Sequence, residues 1–362
     1  MQNDKSALIA MSGGVDSSVA AYLMTKQGYK CIGATMRLHG DSNVDLSEDN
    51  ICCSTKDIED AANIASRLNI PYNVLDYTVD FKTKIIEKFI RTYEAGGTPN
   101  PCVDCNRDMK FGKLLDYADK AGVHYIVTGH YVRVGYDESR GRYLLRKASD
   151  LSKDQSYVLY TLTQEQLSRT IFPLGELTKN EAREIAEQQG FCNSKKHDSQ
   201  DICFIPDGDY VSFMEDYTGK KYGAGDFIDL SGNKRGEHKG AVRYTIGQRR
   251  GLGISAEKSL YVVKKDMAEN IVYVGDEADL FRTTLYATDM NWISIPTPKE
   301  PVRCKAKTRY RQKEQWATAY PNDDGIRLVF DEPQRAITVG QAVVMYDDDI
   351  VVGGGTITAV EK

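Results

Sequence analysis

The 362-residue sequence lacks any long hydrophobic run. Its longest apolar stretches, near residues 7–11 and 342–346, fall far below the roughly 18 to 20 residues that a membrane-spanning helix requires. We therefore expect no membrane partner. The polar residues 1–6 lead directly into a strand-like run, which indicates neither a signal peptide nor a transit peptide and favours a cytoplasmic location.

Cysteine is also scarce, because eight residues in a chain of this length are too few for the disulfide framework of a secreted protein. In a reducing compartment, closely spaced cysteines are more typical of catalysis or metal binding. For the adjacent Cys52 and Cys53 we expect a structural role. Cys31, Cys192 and Cys304 are predicted to be core residues.

Neither sign of charge dominates, since 47 basic and 52 acidic residues give a net charge of −5. This charge repels nucleic acid on average, so a polyanionic partner requires a local basic patch. Alternating basic residues predict such a patch along one face of a strand, since side chains alternate between faces. These residues are Lys305, Lys307, Arg309, Arg311 and Lys313, with a second basic cluster at Lys239, Arg243, Arg249 and Arg250.

The first two hundred residues alternate short apolar runs with helical patterns, which predicts βαβ units and a parallel sheet. Ligands of such sheets bind beyond the carboxyl ends of the strands. The predicted strands are 8–11, 31–36, 72–77 and 125–128, and the predicted helices are 17–27, 56–68, 80–94 and 111–121.

After about residue 201 the apolar stretches become short and rich in β-branched residues, with turn signals between them, which is typical of small barrels or sandwiches. We therefore predict three domains. An α/β domain with a parallel sheet covers 1–205, a small mixed or β central domain covers 206–277, and a C-terminal β-barrel that binds RNA covers 278–362. The helical stretch 178–190 is a possible part of the central domain.

The strongest chemical signal is the segment SGGVDSS at residues 12–18, between a predicted strand and a predicted helix. Its glycines permit a tight turn and close approach of an anion, and the helix N-terminus favours negative charge. The segment predicts a phosphate-binding loop. No lysine follows the second glycine, unlike in the common P-loop, which argues against ordinary γ-phosphoryl transfer.

A second signal is the C-x-x-C of Cys102 and Cys105, for which the prolines at 99 and 101 predict an extended loop. Cys203 lies on another polar loop. Two thiols that meet in the fold can act as a nucleophile and a resolving thiol. The spacing alone leaves a metal clamp or a chance pair equally open.

Together these segments resemble the tRNA-specific 2-thiouridylase family of the PP-loop ATP pyrophosphatases, whose N-terminal domain is of the adenine nucleotide alpha hydrolase type. The resemblance runs from residue 12 to about 341. It implies adenylation and then thiolation at C2 of the wobble uridine of tRNA, with ATP and Mg²⁺. The segments that carry it are SGGVDSS, GATM at 33–36, TGHY at 128–131, KDQSY at 153–157, SQDICF at 199–204 and YTIGQRRGLG at 244–253.

The resemblance also implies residue roles. Cys203 would carry a persulfide received from a donor such as a cysteine desulfurase or a sulfur relay protein, and Cys105 would be its partner thiol. ATP would be held by Ala10, Met11, Ser12, Gly13, Gly14, Val15, Asp16, Ser17, Met36 and Gly129. The tRNA and its flipped-out target base would contact Asn100, Pro101, Cys102, His130, Lys153, Asp154, Gln155, Arg309, Tyr310 and Gln341.

One departure from the family pattern and two alternative functions remain open from the sequence alone. Many relatives carry Asp at the position of Cys102, so a carboxylate role at that position is in doubt for this chain. Cys102, Cys105 and Cys203 are also possible ligands of a 4Fe–4S cluster, because three thiolates suit a cluster with one open iron. The phosphate loop is equally compatible with a PP-loop ligase that forms amides, although such a ligase needs neither the cysteine pair nor a basic β-domain.

Overall fold

The computed structural model describes residues 5–39, 55–194, 196 and 202–361. Cys52, Cys53 and residues 199–201 of the SQDICF segment lie outside the described residues. The strands are β1 Ser6–Ala10, β2 Lys30–Arg37, β3 Tyr72–Asp76, β4 Tyr125–Val127, β5 Val132–Asp137, β6 Arg142–Lys147, β7 Thr170–Ile171, β8 Gly225–Asp229, β9 Lys234–His238, β10 Tyr261–Asp266, β11 Ile271–Gly275, β12 Phe281–Trp292, β13 Val302–Lys307, β14 Gln315–Asn322, β15 Gly325–Arg335, β16 Ala342–Asp347 and β17 Ile350–Val360.

The helices differ in regularity. Two segments, Lys82–Ile86 and Cys105–Lys113, are π-helical, and Ser156–Leu159, Ala241–Arg243 and Glu277–Leu280 are 3₁₀-helical. The α-helices are α1 Val15–Lys26, α2 Thr55–Arg67, α3 Thr78–Phe81, α4 Glu87–Glu94, α5 Pro101–Asp104, α6 Leu114–Lys120, α7 Gln164–Ser168, α8 Lys179–Gln188 and α9 Tyr210–Thr218.

The N-terminal domain is built on a parallel sheet with the strand order β3-β2-β1-β4-β7, which confirms the predicted α/β class. Alternation along β1 explains why both faces of this sheet are covered. Leu8 packs into a cluster with Phe81 and Phe89, whereas Ile9 on the opposite face packs with Val19 of α1.

The following region forms a four-stranded sheet, β10-β11-β8-β9, with Phe227 and Val262 in its core. The chain then enters a barrel with the strand order β12-β15-β14-β13-β16-β17, which closes because β12 also pairs with β17. The hairpin β5–β6 of the first domain extends this barrel sheet at Arg146, which pairs with Ile350. The predicted C-terminal barrel is confirmed.

Several local predictions were wrong. The segment after Asn100 is a helix, because Pro at the first helical position is favourable and the Asn100 side chain caps it by accepting from the amide of Val103. The basic strand ends at Lys307, where the Gln312 side chain accepts from the amide of Thr308 and closes a turn.

Helix α8 also differs from the expectation that it could pack with the central domain. Its residues Ala182 and Ala186 pack in the same cluster as Val19 of α1. Cys192, predicted to be a core residue, is exposed, whereas Cys31 and Cys304 are buried as predicted.

Gly129, which follows β4, lies very close to the first turn of α1. A Cβ atom at this glycine would lie 2.7 Å from the carbonyl carbon of Asp16 and 2.8 Å from the amide nitrogen of Ser17. Both neighbours are backbone atoms, so they cannot yield without moving the phosphate loop. The glycine therefore allows the phosphate loop to pack on the sheet.

We expect Gly129→Ala to lower the free energy of unfolding by about 1–3 kcal/mol, the usual range for overpacking. The matched control is Gly135→Ala in β5, where the described structure places no atom within 4 Å of the added Cβ. Urea denaturation of both variants measures the difference. Equal stability of the two variants would contradict the close-approach argument.

Candidate active site

The phosphate loop opens onto the N-terminus of α1. Gly14 is the N-cap of this 12-residue helix and has no side chain to accept from the first amides. Those amides therefore point into the space before the helix, where the helix dipole favours an anion. Gly13 adopts a φ of +71°, and an added Cβ would lie 2.3 Å from the carbonyl oxygen of Asp57. Gly13 is thus required by geometry.

Two lysines that the sequence analysis did not select reach the loop from distant positions. Lys179, at the start of α8 and only 8% exposed, donates to both carboxylate oxygens of Asp16 at 2.8 Å. The Tyr131 hydroxyl donates to the same carboxylate at 2.7 Å. Lys196 donates to the Gly13 carbonyl at 3.5 Å and pairs with Asp57. Both cations therefore contact a glycine-rich loop that has no lysine after its second glycine.

The loop forms one wall of a cleft of about 1140 Å³, and the barrel forms the opposite wall. The loop contributes Ser12, Gly14, Val15, Asp16 and Ser17, which were predicted from the sequence. The predicted residues Lys153, Asp154, Gln155 and Tyr310 also line the cleft. The structure therefore brings the predicted nucleotide loop and part of the predicted tRNA site together.

Most of the basic side chains predicted as a ladder line this cleft although they do not share one strand. Lys305, Lys307, Arg311 and Lys313 line it from the barrel side. Lys307 is 7% exposed, and its ammonium lies 5.6 Å and 5.2 Å from the ring centres of Tyr157 and Tyr346. Burial lowers the pKa of Lys307.

Arg309 differs from its neighbours. Its guanidinium donates to the carbonyl oxygens of Ile246 at 3.2 Å and Ala336 at 2.8 Å, and to the hydroxyl of Thr338 at 3.1 Å. These bonds tie the central domain to the barrel. In this structure Arg309 thus holds two domains together, and no described contact aims it at the cleft.

The segment before Cys102 is held by the barrel. The Gln341 side chain donates to the carbonyl oxygens of Thr98 and Pro99, both at 3.0 Å. Cys102 itself is exposed, and it lies near Tyr310, whose pKa is raised by burial and by nearby negative charges that include a Cys102 thiolate. Tyr310 in turn donates to the Asp154 carbonyl at 2.9 Å, which places Cys102 near the wall of the cleft.

The two predicted catalytic thiols share one packed cluster. Cys105 is 9% exposed in the cluster around Phe81 and Phe89, and the half-buried Cys203 packs against the same cluster. Within residues 5–39, 55–194, 196 and 202–361, no three His, Cys, Asp or Glu side chains are placed to hold a metal ion. Cys102, Cys105 and Cys203 thus do not form a set of cluster ligands in this structure.

The remaining predicted residues are mostly buried beneath the site. His130 bonds to the Thr128 hydroxyl at 2.7 Å and packs beside Phe111, and burial holds the pKa of His130 well below its usual range. Met11 and Met36 are buried in the two clusters of the sheet, and Ala10 packs against one of them. These residues therefore belong to the packed interior around the phosphate loop.

A parallel α/β sheet whose first strand leads through a glycine-rich phosphate loop into an open helix N-terminus defines a PP-loop enzyme that binds ATP. Three family models cover the chain. The model described as "tRNA methyl transferase HUP domain" matches residues 5–207, the "tRNA methyl transferase PRC-barrel domain" matches 211–276, and the "Aminomethyltransferase beta-barrel domain" matches 282–357.

Relatives that match this chain over nearly their full length identify the family. The chain is 49% identical over 355 residues to "tRNA-specific 2-thiouridylase MnmA" of Clostridioides difficile (strain 630), with 98% of both chains covered. It is 47% identical to the protein of the same name from Acetivibrio thermocellus, over 98% of this chain and 99% of the relative. The chain belongs to the tRNA-specific 2-thiouridylase family.

Among solved structures, a "4-thiouridine synthetase - RNA complex with bound ATP" matches 58% of this chain and 49% of its own, with a TM-score of 0.34 and 16% identity. None of the helices in the described part of the chain combines the length and the apolar character needed to cross a membrane.

We expect Lys179→Met to weaken ATP binding by roughly tenfold or more, since a hydrogen bond to a charged group contributes about 1.5–3 kcal/mol. The Asp16 carboxylate would also lose its ammonium partner and repel the ATP phosphates. Lys179→Arg, which keeps the positive charge, is the matched control and should retain most of the affinity. Calorimetric titration with ATP compares them, and unchanged affinity in the Met variant would contradict this role.

Proposed function

We propose that this protein is a tRNA-uridine 2-sulfurtransferase that adenylates O2 of the wobble uridine with ATP and replaces this oxygen at C2 with sulfur from a persulfide on Cys203. The observation that carries the proposal is the shared cleft. The phosphate loop lines one wall and the basic residues Lys305, Lys307, Arg311 and Lys313 line the other. A nucleotide and an RNA backbone are both polyanions, and this cleft offers cations to each.

Adenylation makes the chemistry feasible because a carbonyl oxygen is a poor leaving group. The uridine O2 attacks the α-phosphorus of ATP, a P–O bond forms, and the P–O bond to pyrophosphate breaks. In this proposal the amides of the α1 N-terminus bind the departing phosphates, and Lys179, which pairs with Asp16 beside them, supplies a positive charge. Asp16 is the loop carboxylate that would contact Mg²⁺ accompanying ATP, since carboxylate oxygens suit this ion.

Sulfur transfer then requires two thiols. The terminal sulfur of the Cys203 persulfide attacks C2, and AMP leaves with the electrons of the C2–O bond. The Cys105 thiolate next attacks the Sγ atom of Cys203 and breaks the S–S bond, which releases 2-thiouridine and leaves a Cys105–Cys203 disulfide. The packing of both residues in one cluster supports this assignment. A dithiol reductant restores the two thiols.

Two partners follow from this sequence of steps. The sulfur comes from a persulfide donor, such as a cysteine desulfurase or a sulfur relay protein, that delivers it to Cys203. The tRNA presents its flipped base beside Asn100 and Cys102, near Tyr310 at the cleft wall. A cytoplasmic location fits both partners.

Incubation of the protein with tRNA, ATP and a persulfide donor should give 2-thiouridine, AMP and pyrophosphate in equal amounts. Mass spectrometry of the tRNA nucleosides and chromatography of the nucleotides measure the products. ADP and phosphate as the coupled products would exclude adenylation. A methylated uridine from S-adenosylmethionine would replace this proposal with the methyl transfer named in the domain descriptions.

The three cysteines should separate in the same assay. Cys203→Ser should accept no sulfur because a hydroxyl group cannot carry a persulfide, whereas Cys105→Ser should accept sulfur and fail to release it. Cys102→Ala should retain activity, since the two-thiol route does not use it. Trapping of persulfides with an alkylating reagent measures sulfur acceptance. Loss of activity in Cys102→Ala comparable to that in the other two would contradict the two-thiol route.

A further inference from the structure

The barrel contacts the cysteine-bearing segment at an irregularity in β12. The pairing of β12 with β17 shifts register between Thr288 and Asn291, which indicates a bulge. Asp289 within it has a φ of +54°, a left-handed conformation that is uncommon for any residue except glycine. Bulges of this kind redirect side chains and are frequent beside active sites.

The redirected side chains of the bulge reach the first domain. Asp289 forms an ion pair and a hydrogen bond with Arg107. Asn291 donates from its side chain to the carbonyl oxygens of Tyr160 at 2.6 Å and Leu162 at 2.9 Å. The bulge is therefore attached to two separate segments of the N-terminal domain.

Arg107 belongs to the element that carries the resolving thiol. It is the third residue of the π-helical segment Cys105–Lys113, of which Cys105 is the first. π-Helices are rare and seldom extend beyond one turn. We therefore expect contacts from outside the segment to hold it in this conformation. Just before Cys105, the Asp104 carboxylate pairs with the Lys88 ammonium at 2.6 Å. Burial raises the pKa of Asp104 despite this pairing.

The exposure of the ion pair argues against a mainly stabilising role. The Arg107 side chain is 27% exposed and that of Asp289 is 57% exposed. Ion pairs at such exposure contribute about 0–1 kcal/mol to stability. A strained backbone conformation that presents the partner of a weak ion pair is better explained by positioning than by stability.

We propose that Asp289 is a positioning residue for the Cys105 thiol: through Arg107, the barrel bulge sets the orientation of the first π-helical turn, so that Cys105 faces the Sγ atom of Cys203. The inference deepens the proposed function and rests on it for its thiolation readout. It assigns the barrel a part in sulfur release in addition to tRNA binding.

The test uses Asp289→Asn in the full-length protein. Asn tolerates the left-handed conformation, so this change removes the charge and leaves the bulge intact. The matched control is Asp331→Asn, which breaks another exposed ion pair of the same barrel, with Arg303 at 2.5 Å. Both variants should melt within a few degrees of the unmodified protein.

The first readout is single-turnover thiolation of tRNA from preloaded persulfide. We expect Asp289→Asn to slow it by roughly tenfold or more, the scale of rate loss from misplaced reacting groups. AMP formation and persulfide loading of Cys203 should be unchanged, and Asp331→Asn should behave as the unmodified protein.

The second readout needs neither tRNA nor ATP. Diamide removes two electrons and two protons from the Cys105 and Cys203 thiols, which form a disulfide while diamide becomes a hydrazine. Asp289→Asn should slow this reaction relative to Asp331→Asn, as measured by mass spectrometry of the linked peptides. Arg107→Gln, which removes the other partner of the ion pair, should slow the reaction to a similar extent, and combining it with Asp289→Asn should add little, because both changes break the same interaction.

Equal oxidation rates in Asp289→Asn and Asp331→Asn would overturn the proposal, as would rate losses from Asp289→Asn and Arg107→Gln that multiply in the double variant. If the unmodified protein thiolates no tRNA, the proposed function fails. The oxidation rates would still decide whether Asp289 positions Cys105.

Discussion

The N-terminus of α1 has to stay open to an anion while the loop before it packs tightly against its neighbours, and much of the structure serves this constraint. Gly14 leaves the first amides without a side-chain acceptor, and Gly13 fits against the backbone of Asp57. Gly129 allows the sheet to approach the first turn of the helix. Asn193, which lies 180 residues further along the chain, donates from its side chain to the Gly13 carbonyl at 2.9 Å and so holds the loop in place.

The barrel completes the site that this loop begins. Its basic side chains face the loop across one cleft, and Gln341 and Asp289 hold the segment that contains Cys102 and Cys105 from both ends. A polyanion bound in the cleft would therefore lie against both domains. This arrangement offers a physical reason why the chain combines an ATP-binding sheet with a barrel, and why the net charge of −5 does not exclude RNA.

Local sequence rules failed where two of them competed. The prolines around Asn100 predicted an extended loop, but Pro101 occupies the first helical position, where its missing amide costs nothing. A basic residue at every second position from Lys305 predicted a longer strand than the chain forms. The strand ends because Gln312 closes a turn after Lys307. Four of those five basic residues still line the cleft, because the turn projects them toward the same side as the strand.

By itself the sequence determined the parallel sheet, the position of the phosphate loop and the family, since these depend on periodicity and on contiguous motifs. The tertiary structure alone decided that Lys179 and Lys196 reach the loop, that His130 is buried, and that Arg309 joins two domains. It also placed Asp289 on Arg107 across 182 residues of chain. Such contacts depend on how separate elements pack, and no local pattern of residue types records that packing.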